Sequence, residues 1–520
     1  MNESPSRWKV GGAGLLAGAV AGIVMTTVML LLAWLFGVAT PIAIIGDRLS
    51  VFIKPGPFLE LMGRVGGYNH LKQLGVGSTI AGQVLVGALG GLIYGLTMHR
   101  RDKAPLIATL GIFFLLPLLA SFALLGPVLG TSYHGWPIRP ATFITILGLA
   151  AAFLTFERTL VLGFRFLTTA RTSPNNLEYS PAIGRRALIF GGLGLLAAGG
   201  AAGILKRLFQ VASFSYDGTQ YKGSDVQPIT PNDRFYCVTK NVVDPRVEQS
   251  IWRLEVTGLV QHRQTYNFAR LKSLPAVEQE TTLMCISNGL DAGLMSNAKW
   301  RGVPLHALLK SAGPLPGAAK VRLHGVDNYT DTFPLVKAME STTLVAYEMN
   351  GEQLPDRHGF PARIVVPGYF GEKNVKWLTR IELTGPDAEG FYEKQGWGPN
   401  FVIPTRSRID QPDDYAWFSL TNLPDGVWLK GVAFAGDRGV SRVEVSVDGE
   451  KTWQDAKIDY PGTRLTWVLW SCDWKPAAPG EYQLVVRATD GNGAVQRLEK
   501  ERGPFSGVTG LHKITVYLGA

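Results

Sequence analysis

The amino-acid sequence predicts a membrane domain of five transmembrane helices, followed by an α+β domain and a C-terminal antiparallel β-sandwich. Long apolar stretches with few charges fill the first part of the chain. The middle part has strand patterns at 251–260 and on both sides of a glycine-containing loop at 362–383, and it has short helix patterns at 268–275 and 303–313. The last part consists of short alternating strands separated by Gly-containing turns. The predicted segments are a membrane domain at 1–209, a linker at 210–225, an α+β domain at 226–405 and a sandwich at 406–520.

Five apolar stretches approach or exceed the roughly 20 residues that a helix needs to cross a bilayer. They lie at 10–38, 75–98, 104–129, 141–162 and 187–205. All are rich in Gly and Ala, which allows helices to approach closely in lipid. The connection at 41–74 carries charges and the breakers Pro55-Gly56-Pro57. We therefore predict an interfacial loop there, with room for a short helix.

The distribution of basic residues predicts the orientation of these helices. A basic run at 99–103 separates the second and third stretches, and five arginines lie between the fourth and the fifth: Arg158, Arg165, Arg171, Arg185 and Arg186. Both loops are therefore predicted to be cytoplasmic. The N-terminus would then be cytoplasmic, and the part after the fifth helix would lie outside the plasma membrane. The four basic residues of the 39–74 loop oppose this orientation.

The pair Arg185-Arg186 precedes the weakly apolar fifth stretch and has two interpretations. It can be a plain positive flank that keeps the loop in the cytoplasm. It can also be an internal twin-arginine signal, which exports domains already folded around a cofactor. The second interpretation gains weight if the exported part binds a cofactor that is inserted in the cytoplasm.

Composition excludes two function classes. The net charge of +10 lies largely beside the apolar segments, and no basic stripe with interleaved aromatics predicts nucleic-acid binding. The three cysteines, Cys237, Cys285 and Cys472, form no CxxC pair and no Cys/His cluster, so a zinc site is not predicted. A lone cysteine such as Cys285 is more often a buried core residue than a ligand. The histidines near the membrane part do not suggest haem ligands.

The C-terminal part consists of short alternating strands such as GVWLKGVAFAG (426–436) and EYQLVVRATDG (481–491), separated by DG, PG and GNG turns. This spacing of turns is typical of an immunoglobulin-like sandwich. Cys472 lies within one of the strands and is predicted to be a core residue.

Residues 225–520 resemble the sulfite oxidase family of molybdopterin enzymes. The resemblance rests on several motifs in order: NDRFYCVTKN (232–241), LMCISN (283–288), HGFPARIVVPG (358–368) and GEKNVKWL (371–378). The last two together are highly specific. The resemblance implies a molybdopterin-binding α+β domain and a dimerisation-type sandwich.

The same resemblance assigns the site residues. Cys285 matches the thiolate that ligates molybdenum, and a soft thiolate suits a soft, redox-active metal. Tyr329 matches the active-site tyrosine, and Lys240 stands where the family has arginine beside the metal and the pterin. Residues 371–376 match the loop that holds the pterin phosphate. The implied cofactor contacts are Lys240, Asn241, Asn288, Asp327, His358, Arg363, Gly371, Lys373, Asn374 and Lys376.

Two departures from the family pattern affect the predicted substrate. Family sulfite oxidases follow the cysteine with two arginines that receive sulfite, whereas this chain has Gly289 and Leu290. Val242 stands where the family has a histidine after its Arg-Asn pair. We therefore predict oxygen-atom transfer on a small substrate other than sulfite, on the extracytoplasmic face.

Three alternatives stay open at this stage. The first is an S-oxide or N-oxide reductase akin to the methionine sulfoxide reductases, and the second is a true sulfite oxidase. The third is an inert membrane scaffold. The resemblance implies a cytochrome or quinone as electron partner and a homodimer, and we identify no haem domain in this chain.

Overall fold

The computed structural model describes most of the chain and divides it into two compact units. The described residues are 7–40, 44–45, 52, 54–65, 68–98, 106–126, 129–132, 134–168, 183–211, 221–241, 244–422, 426–503 and 505–520. The first unit comprises Met1–Ser50, Leu61–Phe214 and Lys240–Arg246; the second comprises Val51–Glu60, Ser215–Thr239 and Val247–Ala520. The predicted basic run at 99–103, Arg171, Val242 and most of the predicted linker lie outside the described residues.

Five described helices are long and apolar enough to cross a membrane. They are α1 (Arg7–Phe36), α3 (Tyr68–Met98), α4 (Leu106–Leu110, a π turn at Gly111–Leu115, and Leu116–Leu125), α5 (Ile138–Thr168) and α6 (Ile183–Val211). Each coincides with one of the predicted apolar stretches, and a short helix, α2 (Pro55–Arg64), occupies the predicted interfacial loop. Insertion in a membrane and its orientation stay predictions.

Small residues bring α1 and α3 into close contact. A Cβ atom added to Gly91 would lie 2.2 Å from the carbonyl oxygen of Gly14, and one added to Gly14 would lie 2.3 Å from the carbonyl oxygen of Gly91. The two backbones therefore touch at these glycines, which is the contact that small residues permit between helices in lipid.

One mixed sheet and one antiparallel sheet form the first part of the second unit. The first has the strand order β2-β1-β10-β5-β6, and the second has the order β3-β4-β7-β8, with β9 paired to β7. Their strands are β1 (Leu254–Gly258), β2 (Gln264–Tyr266), β3 (Val277–Met284), β4 (Met295–Pro304), β5 (Lys320–Gly325), β6 (Thr330–Pro334), β7 (Leu344–Met349), β8 (Glu352–Gln353), β9 (Arg363–Val365) and β10 (Leu378–Thr384). The short helices are α7 (Phe268–Lys272), α8 (Leu305–Ala312), α9 (Leu335–Ala338) and α10 (Phe391–Lys394).

Several strand and helix predictions are confirmed here. β1 lies in the predicted strand 251–260, and α7 and α8 lie in the predicted helices 268–275 and 303–313. The predicted strand–loop–strand segment at 362–383 contains β9 and β10 with the glycine-containing loop between them. This loop connects the two sheets, and its residues supply much of the candidate site.

A β-sandwich completes the second unit. Its sheets have the orders β11-β13-β17-β16 and β12-β19-β18-β14-β15, and buried residues of both sheets share one apolar core. The strands are β11 (Arg406–Gln411), β12 (Ala416–Ser419), β13 (Val427–Phe434), β14 (Val440–Ser446), β15 (Gln454–Asp455), β16 (Lys457–Tyr460), β17 (Val468–Trp474), β18 (Gly480–Asp490) and β19 (His512–Gly519). Cys472 belongs to this core, as predicted. The immunoglobulin-like topology stays a prediction.

The close contact between α1 and α3 generates a prediction with a matched control. Gly91→Ala should lower the melting temperature of the detergent-solubilised chain, because the added methyl group would overlap a backbone oxygen and force the helices apart, at a cost of about 1–3 kcal/mol. Gly90→Ala should be tolerated, since the nearest atom to its added Cβ is Phe113 Cε1 at 3.5 Å. Equal melting temperatures for the two variants would contradict the packing described here.

Candidate functional site

The site begins at Cys285, which directly follows the last residue of β3. The thiol is free and buried, and its sulfur lies 3.1 Å from Ser287 Oγ. Burial raises the pKa of the Cys285 thiol to about 11, an effect that the Ser287 hydrogen bond opposes. An isolated thiol of this kind is protonated at neutral pH, whereas a bound metal would hold it as the thiolate.

The loop after Cys285 turns back into β4 through its own hydrogen bonds. The Cys285 amide donates to the carbonyl of Leu294 over 3.0 Å, and the Leu294 amide donates to Asn288 Oδ1 over 2.9 Å. The Asn288 side chain is therefore occupied in closing the loop. Its predicted contact with a cofactor stays a prediction, and this bond shows a structural role for the residue.

Two arginines of β11 hold the same loop from the sandwich. The guanidinium of Arg406 donates to the carbonyl of Asn288 over 3.1 Å and to that of Gly289 over 2.6 Å. Arg408 donates to the carbonyl of Ala292 over 2.7 Å. Burial lowers the pKa of Arg406 to about 10. The sequence analysis missed both arginines, because they lie more than a hundred positions from the loop.

Gly371 lies against the start of the Cys285 loop. A Cβ atom at Gly371 would lie 2.6 Å from the hydroxyl of Tyr236 and 3.7 Å from the Cα atom of Cys285. Only glycine leaves room for this approach. Tyr236 is buried, and burial, with a contribution from Cys285, raises its pKa well above the usual value. The contact thus brings the predicted phosphate loop to the predicted metal ligand.

Glu372 follows Gly371 and is a third residue that the sequence analysis missed. Both of its carboxylate oxygens are inaccessible to solvent and accept no hydrogen bond among the described residues. Burial, and then the charge of Asp331, raise the pKa of Glu372 to about 8. Its backbone carbonyl accepts a hydrogen bond from the Tyr329 hydroxyl over 3.1 Å.

Tyr329 and Lys373 meet at one buried carboxylate. The hydroxyl of Tyr329 donates to Asp331 Oδ2 over 2.8 Å, and Lys373 Nζ lies 2.6 Å from Asp331 Oδ1. Lys373 also pairs with Glu393 over 3.2 Å, and it is almost completely buried. Its charge is therefore neutralised within the protein, which argues against the predicted phosphate contact from this lysine; that contact stays a prediction.

A second group of predicted residues surrounds Arg363. Its guanidinium donates to the carbonyl of His358 over 3.1 Å and to that of Asn374 over 3.0 Å, and it stacks 5.0 Å from the centre of the Trp300 ring. The Nε2 atom of His358 lies 2.9 Å from the carbonyl oxygen of Asn232. Burial lowers the pKa of His358 to about 3, so this histidine is neutral.

The remaining residues predicted to contact the cofactor form hydrogen bonds within the chain. Asn374 Oδ1 accepts from the Val366 amide over 2.7 Å, and Asp327 Oδ1 accepts from the Tyr329 amide over 3.1 Å within the turn between β5 and β6. Lys376 Nζ donates to the carbonyl of Arg357 over 3.0 Å. The cofactor roles of these residues stay predictions.

The charges around Arg363 suit an anionic cofactor. Burial lowers the pKa of Arg363 to about 10, and its Nε atom has no hydrogen-bond partner among the described residues. No carboxylate in the described part of the chain forms an ion pair with it. A buried cation that contacts only carbonyls is costly, and an anionic ligand would offset that cost. The residues present therefore fit a phosphate-bearing cofactor next to a single thiolate. Among the described residues no group of three or more His, Cys, Asp or Glu side chains offers an alternative metal site.

The structure thus brings together most, but not all, of the predicted residues. Cys285, Gly371 and Tyr329 lie around Glu372, while His358, Arg363 and Asn374 form a connected group. Lys240 and Asn241 belong to the first unit, and their predicted roles stay predictions.

Comparisons with known proteins identify the family of this chain. Residues 241–392 match the family model described as the oxidoreductase molybdopterin binding domain. Residues 400–510 match the Mo-co oxidoreductase dimerisation domain. Sulfite oxidase of Gallus gallus is 32% identical over 318 residues, which cover 52% of this chain and 68% of that protein. This chain belongs to the sulfite oxidase family of molybdopterin-dependent oxidoreductases. The predicted family is therefore confirmed.

Mitochondrial sulfite oxidase of Mus musculus is also 32% identical, over 317 residues that cover 52% of this chain and 57% of the relative. The chain thus spans little more than half the length of that relative. Among solved structures, the sulfane dehydrogenase SoxCD of Paracoccus pantotrophus is 25% identical with a TM-score of 0.49, over 56% of this chain and 81% of that one.

The contacts of Arg406 generate a stability prediction. Arg406→Met should remove charged donors from the buried carbonyls of Asn288 and Gly289. Hydrogen bonds to charged groups contribute about 1.5–3 kcal/mol each, so we expect the melting temperature of the second unit to fall by about 5 °C or more. Arg442→Met is the control, because its side chain is 54% exposed. The outcome that contradicts this account is equal thermal stability of both variants and the parent chain.

Proposed function

We propose that this chain is a membrane-anchored molybdenum oxidoreductase that transfers an oxygen atom to or from a small substrate lacking a full negative charge. The family supports the cofactor, and Cys285, buried at the end of β3 beside the Gly371 loop, supports the metal ligand. The helical unit supports a membrane anchor by the length and composition of its helices.

The observation that favours an uncharged substrate is the lack of cationic side chains after Asn288. Gly289 and Leu290 carry no charge, and the nearby Arg406 is buried with its guanidinium hydrogen-bonded to three carbonyls. A small dianion needs fixed positive charge, which arginine provides with a planar pair of donors. This part of the chain does not offer such a group to sulfite.

When bound, the molybdenum cofactor supplies the two-electron chemistry of oxygen-atom transfer. The protein's contribution is to bind and orient it. Cys285 would provide the thiolate ligand, and Arg363 would neutralise part of the cofactor's negative charge from its buried position. Lys376 would add a second cation, and Tyr329, fixed by Asp331, would border the reacting side.

The location and partners form the second part of the proposal. The catalytic unit would lie on the extracytoplasmic face of the plasma membrane, with the N-terminus in the cytoplasm and Arg185-Arg186 acting as an export signal. Electrons would pass to or from a cytochrome or a quinone. The match to a dimerisation domain supports a homodimer.

Leu290 favours one alternative within the same chemistry, a reductase of S-oxides or N-oxides. Its side chain is apolar and lies 3.6 Å from the position that a Cβ atom of Gly510 would take, so it packs against the sandwich and supplies no charge to the Cys285 loop. A true sulfite oxidase, as the names of the relatives suggest, and an inert scaffold are the outcomes that would replace the proposal.

Steady-state kinetics with an artificial electron carrier tests the proposal. The purified chain should contain molybdenum and should reduce dimethyl sulfoxide or trimethylamine N-oxide with a higher kcat/KM than it oxidises sulfite. Each missing charge-assisted pair costs about 1.5–3 kcal/mol, or roughly one to two decades in kcat/KM.

A gain-of-function variant completes the test. Leu290→Arg should raise kcat/KM for sulfite by about tenfold, because the guanidinium restores one planar pair of hydrogen-bond donors. Leu315→Arg, at another surface position, should leave kcat/KM for sulfite unchanged. A kcat/KM for sulfite of about 10⁶ M⁻¹s⁻¹ or above in the parent enzyme, well within the range of efficient enzymes, would refute the proposed substrate class. Absence of molybdenum would support the scaffold.

A further inference from the structure

Glu372 is a buried carboxyl group that the contacts of the folded chain leave unused. Its two neighbouring carboxylates are fully engaged: Asp331 binds Lys373 and Tyr329, and Glu393 accepts from Thr332 Oγ1 over 2.6 Å as well as pairing with Lys373. Neither oxygen of Glu372 has such a partner among the described residues. Burying a polar group without a hydrogen bond costs about 1–3 kcal/mol, so Glu372 weakens the fold that contains it.

The position of Glu372 is fixed by its backbone. The preceding residue, Gly371, touches Tyr236 and the Cα atom of Cys285, and the Glu372 carbonyl accepts from Tyr329. Glu372 directly follows the contact of Gly371 with Cys285, so its backbone lies beside the Cys285 loop. A destabilising polar group at the predicted metal ligand is typical of a site that binds a ligand.

Aromatic side chains extend from Tyr329 and would form the apolar wall of such a site. The ring centres of Tyr329 and Tyr392 are 5.8 Å apart, those of Tyr392 and Trp397 are 4.9 Å apart, and those of Trp397 and Phe505 are 5.1 Å apart. The indole Nε1 atom of Trp397 is buried and donates no hydrogen bond within the described part of the chain. This surface therefore offers apolar area and one unused donor in addition to the carboxyl group.

We propose that Glu372 is a substrate-binding residue whose carboxyl group hydrogen-bonds a small neutral molecule, of the sulfoxide or amine N-oxide class, against the aromatic wall of Tyr392 and Trp397. The inference rests on the proposed function. It adds a reason for the substrate class, because the residue after the Gly371–Cys285 contact carries a carboxyl group, whereas an oxyanion would need a cation. Aliphatic groups of the substrate would pack on the aromatic rings, and its oxygen would accept hydrogen bonds from the indole N–H and from the carboxyl group, which is protonated at neutral pH because burial raises its pKa to about 8.

The charge balance around Glu372 supports the exclusion of anions. The Lys373 ammonium is the cation of this group. The carboxylates of Asp331 and Glu393 both pair with it, at 2.6 and 3.2 Å. No positive charge is left over for a ligand from this group. An anion placed near Glu372 would lose its hydration without gaining an ion pair, which is unfavourable in a buried site.

The experiment compares Glu372→Leu, Glu372→Gln and Glu382→Gln in the full-length, molybdenum-loaded chain. Glu372→Leu removes the carboxyl group that would hydrogen-bond the substrate, so KM for dimethyl sulfoxide and trimethylamine N-oxide should rise about tenfold or more. The melting temperature should not fall, because the carboxyl group has no partner among the described residues of the folded chain. Glu372→Gln keeps a polar side chain of the same shape, and its KM should stay within about threefold of the parent value.

Glu382→Gln is the control, because Glu382 has a partner, His324 Nε2 at 2.9 Å. It should lower the melting temperature and leave KM unchanged. A fall in melting temperature for Glu372→Leu without a change in KM would overturn the inference, since it would show a structural role. With sulfite as the substrate, the same variants test the role of Glu372 separately from the proposed substrate class.

If the parent enzyme oxidises sulfite and reduces neither oxide, the proposed substrate class fails, and Glu372 is then tested with sulfite itself. A residue that faces the substrate predicts a changed KM for sulfite in Glu372→Leu, and a lower one above a pH of about 8, where the carboxyl group is ionised and repels the anion. An unchanged KM for sulfite would overturn the role of Glu372.

Discussion

The rest of the site depends on the way the sandwich holds the loop that carries Cys285. This loop has only a few hydrogen bonds of its own, and its carbonyls are bound by Arg406 and Arg408 of β11. Arg408 is itself fixed by Asp410, with oxygens at 2.8 and 3.1 Å from two of its nitrogens. The position of the predicted metal ligand is thus set by a strand from the neighbouring domain, and the two family domains act as one structural unit.

Two electrostatic environments meet near Cys285. Around Arg363, a buried cation contacts only carbonyls, which suits the negative charge of a phosphate-bearing cofactor. Around Glu372, carboxylates outnumber the single Lys373 ammonium, which disfavours anions. In the proposed site, this contrast would give the cofactor and the substrate different chemical surroundings, and it is the physical reason for proposing a substrate other than sulfite.

Much of the fold could be predicted from the sequence because hydrophobic periodicity reports local structure. The five apolar stretches gave the positions of the long helices, although α3 begins at Tyr68 rather than at residue 75, since helices continue into polar flanks that a hydropathy criterion omits. Strands such as β13 and β18 followed from alternation, whereas the short β15 and β16 have too few residues to show it.

The candidate site was predicted less completely. The motif around Cys285 predicted a metal ligand, which stays a prediction. No local pattern shows that Lys373 turns inward to Asp331, 42 positions earlier, or that Arg406 reaches Asn288. Glu372 was missed for a related reason. A carboxyl group in a Gly- and Lys-containing loop is usually solvated, and only the folded structure shows that its oxygens are buried without partners.

The central claim, that Cys285 binds the molybdenum of a molybdopterin cofactor, is tested most directly by X-ray absorption at the molybdenum edge. The purified parent chain and its Cys285→Ser variant should both contain metal and pterin, because the Arg363 group does not need the thiolate. The account predicts one fewer sulfur neighbour of molybdenum in the variant. The same number of sulfur neighbours in both proteins, or a parent chain without molybdenum, would contradict it.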